Sequence, residues 1–592
     1  MKQFKLWKQT GAVLLAAVMT VAPVMPGAAA QSALPIDPVP GAYGYFTDHY
    51  LSNDMDHMTP ESNAVIGVLS SFLNIWQPGD SWDNGTKIGE AGNLVLNRNI
   101  EICVELTNSR TKEQELTAYL IDRRNQNYSA LDGLGPYSSR FKELSGAATS
   151  LPAEIPADAK TVKYSDKGNG NGVWADTDSQ LGSVVGLVNT LRGPKASGNP
   201  SKIYYQYMRP FRWNGQVSLV PALQPCVSDP NTDGGFPSGH TNAAYLSSLA
   251  LAYSMPERYQ ELLTNASEMG NYRIVAGMHS PTDIIGGRMM ATAIAAATLN
   301  DPQHAQLKAD AYKEAEALLT GNGDGSTDVY GDYQHNKALY EQRLTYGLPQ
   351  TGDTTKPMVV PKGAEVLLET RLPYLSADQR RWVLYTTGLP SGYEFLDDAE
   401  GWGRLNLFAG ASGYGAFPAD VTVTMDGSKG GYHQQDTWRN DISGPGSLTK
   451  HGTGTLVLAG SNSYTGGTNL YQGSITLASA QGAGLGVVRN VAGVLKEEVT
   501  GTVTLNSDFT QGSEGILELH ISSAGDLLAI GGKASLGGTL KVYFDDFTPS
   551  ADGMQLIRAD SITGSFAAVE AAGLADDMQI VVNEQGVFVQ SR

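Results

Sequence analysis

Between about residues 60 and 345 the apolar positions recur three and four apart. Residues 261–277, ELLTNASEMGNYRIVAG, and 281–299, PTDIIGGRMMATAIAAATL, keep this period, and 310–319, DAYKEAEALL, keeps it with charges between. The pattern predicts a helical bundle. Past about residue 440 it changes to short alternating stretches punctuated by glycine. Residues 446–480, GSLTKHGTGTLVLAGSNSYTGGTNLYQGSITLASA, alternate Leu448, Leu456 and Leu458 with polar positions, and 525–544, GDLLAIGGKASLGGTLKVYF, repeat the style loosely. Strands this short, with glycine at the corners, suit a stacked β-solenoid in which each turn buries its apolar positions against the next. A β-sandwich is the alternative.

The fold class expected is therefore multidomain α plus β, an N-terminal all-α bundle followed by a Gly-rich β-solenoid-like domain. Residues 351–363, TGDTTKPMVVPKG, read as a linker. The aromatic, glycine-rich stretch 371–417 reads as a segment docking one half on the other. The expected division is a signal at 1–30, a helical domain at 31–345, a linker and docking segment at 346–440, and a β-domain at 441–592.

Lys2, Lys5 and Lys8 precede an apolar run from Ala12 to Ala22, and Ala28, Ala29 and Ala30 follow, which is the pattern of a cleaved secretory signal. Export is the expectation. A membrane span needs about 20 consecutive apolar residues; stretches such as NAAYLSSLALAY are shorter and read as buried helices, so no transmembrane segment is expected after signal removal. The two cysteines, Cys103 and Cys226, are candidates for one disulfide in an oxidising location. A formal charge of −19 over 592 residues disfavours nucleic acid and anionic lipid, so any basic site must be local.

Three segments place such a basic site. In SKIYYQYMRPFRW, Lys202 and Arg209 stand seven apart, two helical turns, and are expected on one helix face, with Pro210 ending the helix. In GGFPSGHTNAAYL, Ser238 reads as a helix cap, Gly239 allows close backbone approach, and His240 sits in the first turn, where free N–H groups face an anion. In YRIVAGMHSPTD, Gly277 closes one helix, Ser280 caps the next, and Pro281 takes its first position. His279 lies at that junction, one turn before Asp283. Taken alone, Ser280 to Asp283 is also an ordinary capping box, and Lys202 with Arg209 an ordinary solvated face. His49 and His57, eight apart in an apparent loop, read as solvated, and no cluster has convincing metal-ligand spacing.

Lys-x6-Arg-Pro, Pro-Ser-Gly-His and Arg-x5-His-x3-Asp, in that order, resemble the type 2 phosphatidic acid phosphatase superfamily. Within it the similarity is to the class A bacterial acid phosphatases, and vanadium haloperoxidases share the pocket. The motifs span about residues 200 to 300; where the family usually has serine before the third-motif arginine, this chain has Tyr272. The resemblance implies that Lys202, Arg209, Ser238, Gly239 and Arg273 bind a phosphate without metal or other cofactor. It further implies that His279 is the nucleophile, oriented by Asp283, and that His240 protonates the leaving alcohol, with an acidic to near-neutral optimum. Phosphate monoesters are the implied substrates; haloperoxidase, lipid phosphate phosphatase and adhesin-like passenger with a silent phosphatase domain are the alternatives.

The first β-stretch resembles the autotransporter-associated repeat of passenger domains exported by Gram-negative bacteria, although no segment after it reads as a membrane barrel. A periplasmic, secreted or cell-surface location follows, with the β-domain a candidate for association with the cell envelope.

Overall fold

A computed structural model describes residues 34–229, 233–550 and 552–592. The expected signal at 1–30 lies outside them. Ile36–Arg592 forms one compact unit.

The helices that build the first half are α1 (Gly89–Ser109), α2 (Lys112–Arg123), α3 (Gly182–Leu191), α4 (Asn199–Tyr205), α5 (Gly239–Ser254), α6 (Tyr259–Val275), α7 (Pro281–Asn300), α8 (Ala305–Leu318), α9 (Tyr333–Thr345) and α10 (Ala377–Thr387). α5 and α7 form the centre: all of 241–254 and 281–299 is buried. Helices this apolar around their whole circumference have no solvent face to present, which is why their three-four period blurs into continuous Ala, Leu, Ile and Met. α5 packs against α6, α7 and α3, and α3 against α8. α7 reaches α5 closely because Gly287 faces it. A Cβ there would stand 2.7 Å from the Ser238 carbonyl oxygen, so any side chain would push the start of α5 away.

The second half is a β-solenoid, as its alternation predicts. Two seven-stranded sheets run along it. Neighbouring strands are parallel and in register: Leu448 pairs with Thr468 and Thr468 with Val488, so a turn takes twenty residues here. The second sheet steps by nineteen and then twenty residues, through Leu456, Ile475 and Leu495. Leu448, Leu456 and Leu458 are all fully buried inside the coil. Parallel in-register pairing excludes the sandwich, whose sheets are antiparallel. Toward the C-terminus a third strand per turn is added, and Met578–Asn583 and Gly586–Ser591 close it as an antiparallel hairpin.

Residues 346–440, expected as linker and docking segment, contribute to the core, although 353–357 are exposed. Met358 and Val360 are buried, the segment contains α10, and Leu367, Leu368, Val383, Leu384 and Phe408 belong to the main core. The stretch 371–417 lies against the first solenoid turn: Phe417 and Tyr414 pack on Trp438, and Phe417 on Tyr464. A solenoid end exposes apolar rungs unless something caps it. Here the cap is anchored by Asp436, 2% exposed. It accepts hydrogen bonds from Arg371 NH1 (2.8 Å) and the Tyr374 hydroxyl (2.5 Å), and the same hydroxyl accepts from Trp438 Nε1 (2.8 Å).

Candidate active site

Lys202 and Arg209 do not share a helix face, contrary to the expectation from their spacing. α4 ends at Tyr205; Gln206 is left-handed (φ 46°), and Arg209, extended before Pro210, caps the short helix Pro210–Trp213. Pro210 starts a helix here instead of ending one, because its ring forces the preceding residue out of the helical region while fitting a first helical position itself. The break aims both cations at one place. Lys202 Nζ donates to Gly234 O (2.6 Å) and Gly235 O (3.5 Å), and burial together with the Arg209 charge lowers its pKa to about 7. Arg209 holds Asp233 in a two-bond fork, Nε to Oδ2 and NH2 to Oδ1, both 2.6 Å. Its NH1 donates to Met278 O (2.8 Å) and lies 3.1 Å from His279 Nε2.

Ser238 caps α5: its Oγ accepts from Thr241 N (3.3 Å) and from the Thr241 hydroxyl (2.9 Å), while its own N–H donates to Asp283 O (2.9 Å). Gly239 faces open space, with no atom within 4 Å of where a Cβ would stand. Gly239 and His240 are half-buried in an otherwise buried stretch, so the site opens here. His240 Nε2 lies 3.1 Å from the Asp122 carbonyl. A carbonyl only accepts, so Nε2 carries the proton. Burial, then the Arg273 charge, depresses the His240 pKa to about 3.

At the α6–α7 junction Gly277 takes φ +80°, and the N–H groups of Met278 and His279 both return to Arg273 O (3.1 and 3.2 Å). Ser280 and Asp283 form a complete capping box. The box and the expected histidine partnership coexist, because Asp283 Oδ2 accepts from Ser280 N (2.8 Å) and lies 3.2 Å from His279 Nδ1. The two sides of the ring then define its state. Arg209 donates to Nε2 and Asp283 accepts from Nδ1, so the neutral tautomer carries its proton on Nδ1 and a lone pair on Nε2. Burial, followed by Arg209, Lys202, Arg273 and His240, holds the His279 pKa well below the ordinary value. Burial raises Asp283 to about 7 against Ser280, Lys202 and Arg209.

Arg273, 3% exposed, donates through NH1 to Asp122 Oδ2, and its buried Nε has no partner. Burial would raise the Asp122 pKa, but Arg273, His240 and Arg123 bring it down to about 2. The residues of the three motifs thus converge: three cations and two imidazoles act on one another across some eighty residues of chain. An unpartnered N–H on a buried guanidinium, an open helix N-terminus, and Lys202 and Arg273 both lowered in pKa by burial and by neighbouring charge make a site suited to an anion.

Asp122 and Asp233 escaped the sequence reading. Asp122 lies in the amphipathic α2, where a carboxylate reads as solvated, and Asp233 in a turn-rich loop with no periodicity. Tyr272 packs with Tyr119, Leu223 and Met278. The candidate disulfide is not formed: Cys103 is buried beside the His279 carbonyl (3.8 Å), whereas Cys226 accepts from Arg123 NH1 (3.0 Å). Each sulfur already occupies a separate packed environment. His57 is exposed and pairs with Asp54 (2.6 Å). Among the described residues no group of three or more His, Cys, Asp or Glu has metal-ligand geometry, and no helix is long and apolar enough to cross a membrane.

Comparison with known proteins finds relatives of two kinds. A non-specific acid phosphatase of Salmonella typhi is 37% identical over 91 residues, covering 15% of this chain and 34% of that protein. The autotransporter lipoprotein NalP of Neisseria meningitidis is 31% identical over 195 residues, covering 33% of this chain and 17% of its own length. An extracellular serine protease of Serratia marcescens is 30% identical over 174 residues, covering 24% of this chain and 16% of the protease. The chain therefore spans about a third of the phosphatase and about a sixth of the other two. The family model for the passenger-associated-transport-repeat matches residues 448–477, within the solenoid, and that for the PAP2 superfamily matches 181–306. The helical half carries a PAP2 superfamily domain that contains the whole convergent site except Asp122.

Proposed function

We propose that this chain is an exported, metal-independent phosphomonoesterase that works through a phosphohistidine on His279. The observation that carries the reading is the His279 ring, with its lone pair at Nε2 and its proton held toward Asp283, amid Lys202, Arg209, Arg273 and His240. Phosphate oxygens are stronger acceptors than a neutral imidazole. An arriving ester takes the Arg209 NH1 bond and frees Nε2 to attack. Lys202, Arg209, Arg273, the Gly239 N–H at the start of α5 and the Ser238 hydroxyl take the charge of the nonbridging oxygens. As the Nε2–P bond forms, the P–O bond to the alcohol breaks; His240, which takes a second proton from solvent at Nδ1 once the phosphate charge lies beside it, gives that proton to the leaving oxygen. Water then attacks phosphorus, returns a proton to His240 and releases Nε2; Asp283 stabilises the charged ring throughout. The solenoid carries the domain outside the cytoplasm of a Gram-negative cell and presents it there.

Purified protein is expected to hydrolyse a panel of phosphate monoesters equally with and without chelator. Denaturation in alkaline detergent is expected to trap phosphate on the chain. Absence of hydrolysis, or its loss on chelation, would overturn the reading.

The depressed His240 pKa also predicts a pH-dependent stability. Its folded value near 3 lies below the unfolded 6.5. As pH falls below 6.5 the unfolded chain takes a proton that the folded site refuses, so stability is lost. The His240 share is about 2 kcal/mol between pH 7 and pH 5, read as the change in the urea-unfolding difference between the chain and His240→Gln. Orthophosphate, whose charge favours the imidazolium, is expected to shrink it. A difference that stays constant with pH would contradict the assignment.

A further inference from the structure

We infer that Asp122 is a positioning residue that holds Arg273 on the substrate phosphate and turns the proton-donating nitrogen of His240 toward the leaving group. The inference rests on the phosphatase reading and adds to it a residue from α2, outside all three motifs. Asp122 stands in the last turn of α2, where carbonyls have no partner within the helix. Its carbonyl is therefore free to accept Nε2–H of His240 at 3.1 Å. That bond ties up Nε2 and leaves Nδ1 as the nitrogen able to exchange a proton with substrate. The carboxylate of the same residue accepts from Arg273 NH1 and lies 2.9 Å from Arg123 Nε. With NH1 fixed there, the unpartnered Nε and remaining N–H groups of Arg273 are left for an anion.

Stability alone gives a poor account of this arrangement. A carboxylate in the last turn sits at the wrong end of the helix dipole, and at 4% exposure it is deprived of water. Apolar residues of similar volume commonly stabilise a core as well as such a pair does. What an apolar residue cannot do is orient a guanidinium and supply negative charge beside an imidazole that must hold a proton. The charged and titratable groups facing His240 are Asp122 and Arg123 from α2, Arg273 from α6 and His279 from the α6–α7 junction. Asp122 is the one among them that favours the imidazolium.

Asp122→Asn keeps the carbonyl and the shape and removes the charge; Asp122→Glu keeps the charge and displaces it. For Asp122→Asn, kcat/KM is expected to fall about 100-fold, the scale of a small misplacement of a binding group. The basic limb of the kcat profile, set by loss of the His240 proton, is expected to move down by roughly one pH unit. Asp122→Glu is expected to lose rate but keep the limb in place. Orthophosphate affinity, measured by calorimetry and independent of turnover, is expected to weaken about 10-fold in Asp122→Asn through the released Arg273. If both variants lose rate equally at every pH with unchanged phosphate affinity, Asp122 is only structural and the inference fails. Should Asp122→Asn not fold, Asp122→Glu decides: a limb displaced as far as one pH unit overturns the inference. Phosphate binding that weakens as stated in a protein that hydrolyses no ester would instead overturn the phosphatase reading.

Discussion

Replacing His279 with alanine is expected to lower kcat/KM for a phosphate monoester by about four orders of magnitude or more, and to abolish phosphate trapping on the chain. The loss comes from the lone pair that Asp283 and Arg209 fix at His279 Nε2; His240, tied through Nε2–H to the Asp122 carbonyl, turns Nδ1 to the substrate as the proton donor. Asp283→Asn is expected to cost about 100- to 10,000-fold by a different route. An amide can offer an N–H toward His279 Nδ1, which moves the ring proton to Nε2 and removes the nucleophile without emptying the site. It also weakens the cap, since Asp283 Oδ2 receives Ser280 N–H. The two variants should therefore separate in a urea titration: Asp283→Asn loses cap stability of about 1 kcal/mol, while His279→Ala loses mainly activity. Phosphate trapping retained in His279→Ala would move the covalent step to another residue.

The cap chemistry explains why this corner of the fold was legible in sequence. Gly277, Ser280, Pro281 and Asp283 each act within a few residues, so the turn that positions His279 is written locally. Ser238 and His240 are legible for the same reason. The solenoid follows from period-two alternation, because each strand buries its own apolar positions against its neighbours. The helix break between Lys202 and Arg209 was missed because seven-residue spacing is equally natural to a continuous helix. What forces the break is Pro210, together with burial of Tyr205 and Tyr207 in the aromatic cluster around Phe72. Asp122 and Asp233 act through partners 151 and 24 residues away, and no local pattern encodes such pairings. Within 346–440 the stretch 371–417 docks on the solenoid as expected, whereas the linker reading of 351–363 missed the buried Met358 and Val360. The Pro- and Gly-containing grammar of 351–363 matches a linker, and the burial of Met358 and Val360 depends on contacts distant in sequence.

The docking of 371–417 on the solenoid carries the second large effect. Asp436→Ala is expected to destabilise the chain by about 3–5 kcal/mol, because it strips the partner from a buried cation. Arg371, 3% exposed, would be left with the face of the Tyr432 ring at 4.0 Å, and Tyr374 would lose the acceptor for its hydroxyl. The Trp438 indole, which donates to that hydroxyl, would lose its fixed partner as well. If the cost arises from an abandoned charge, replacing both partners should recover much of it. Asp436→Leu combined with Arg371→Met is expected to be less destabilised than Asp436→Ala alone, a non-additivity of about 2 kcal/mol or more in a double-mutant cycle. Phosphate monoester hydrolysis at a temperature where the variants stay folded should be unchanged, since none of these side chains reaches the Arg273–His279 corner. Additive costs would instead mean that Asp436 and Arg371 contribute separately, and that the solenoid is held by the aromatic cap of Tyr414, Phe417 and Trp438 alone.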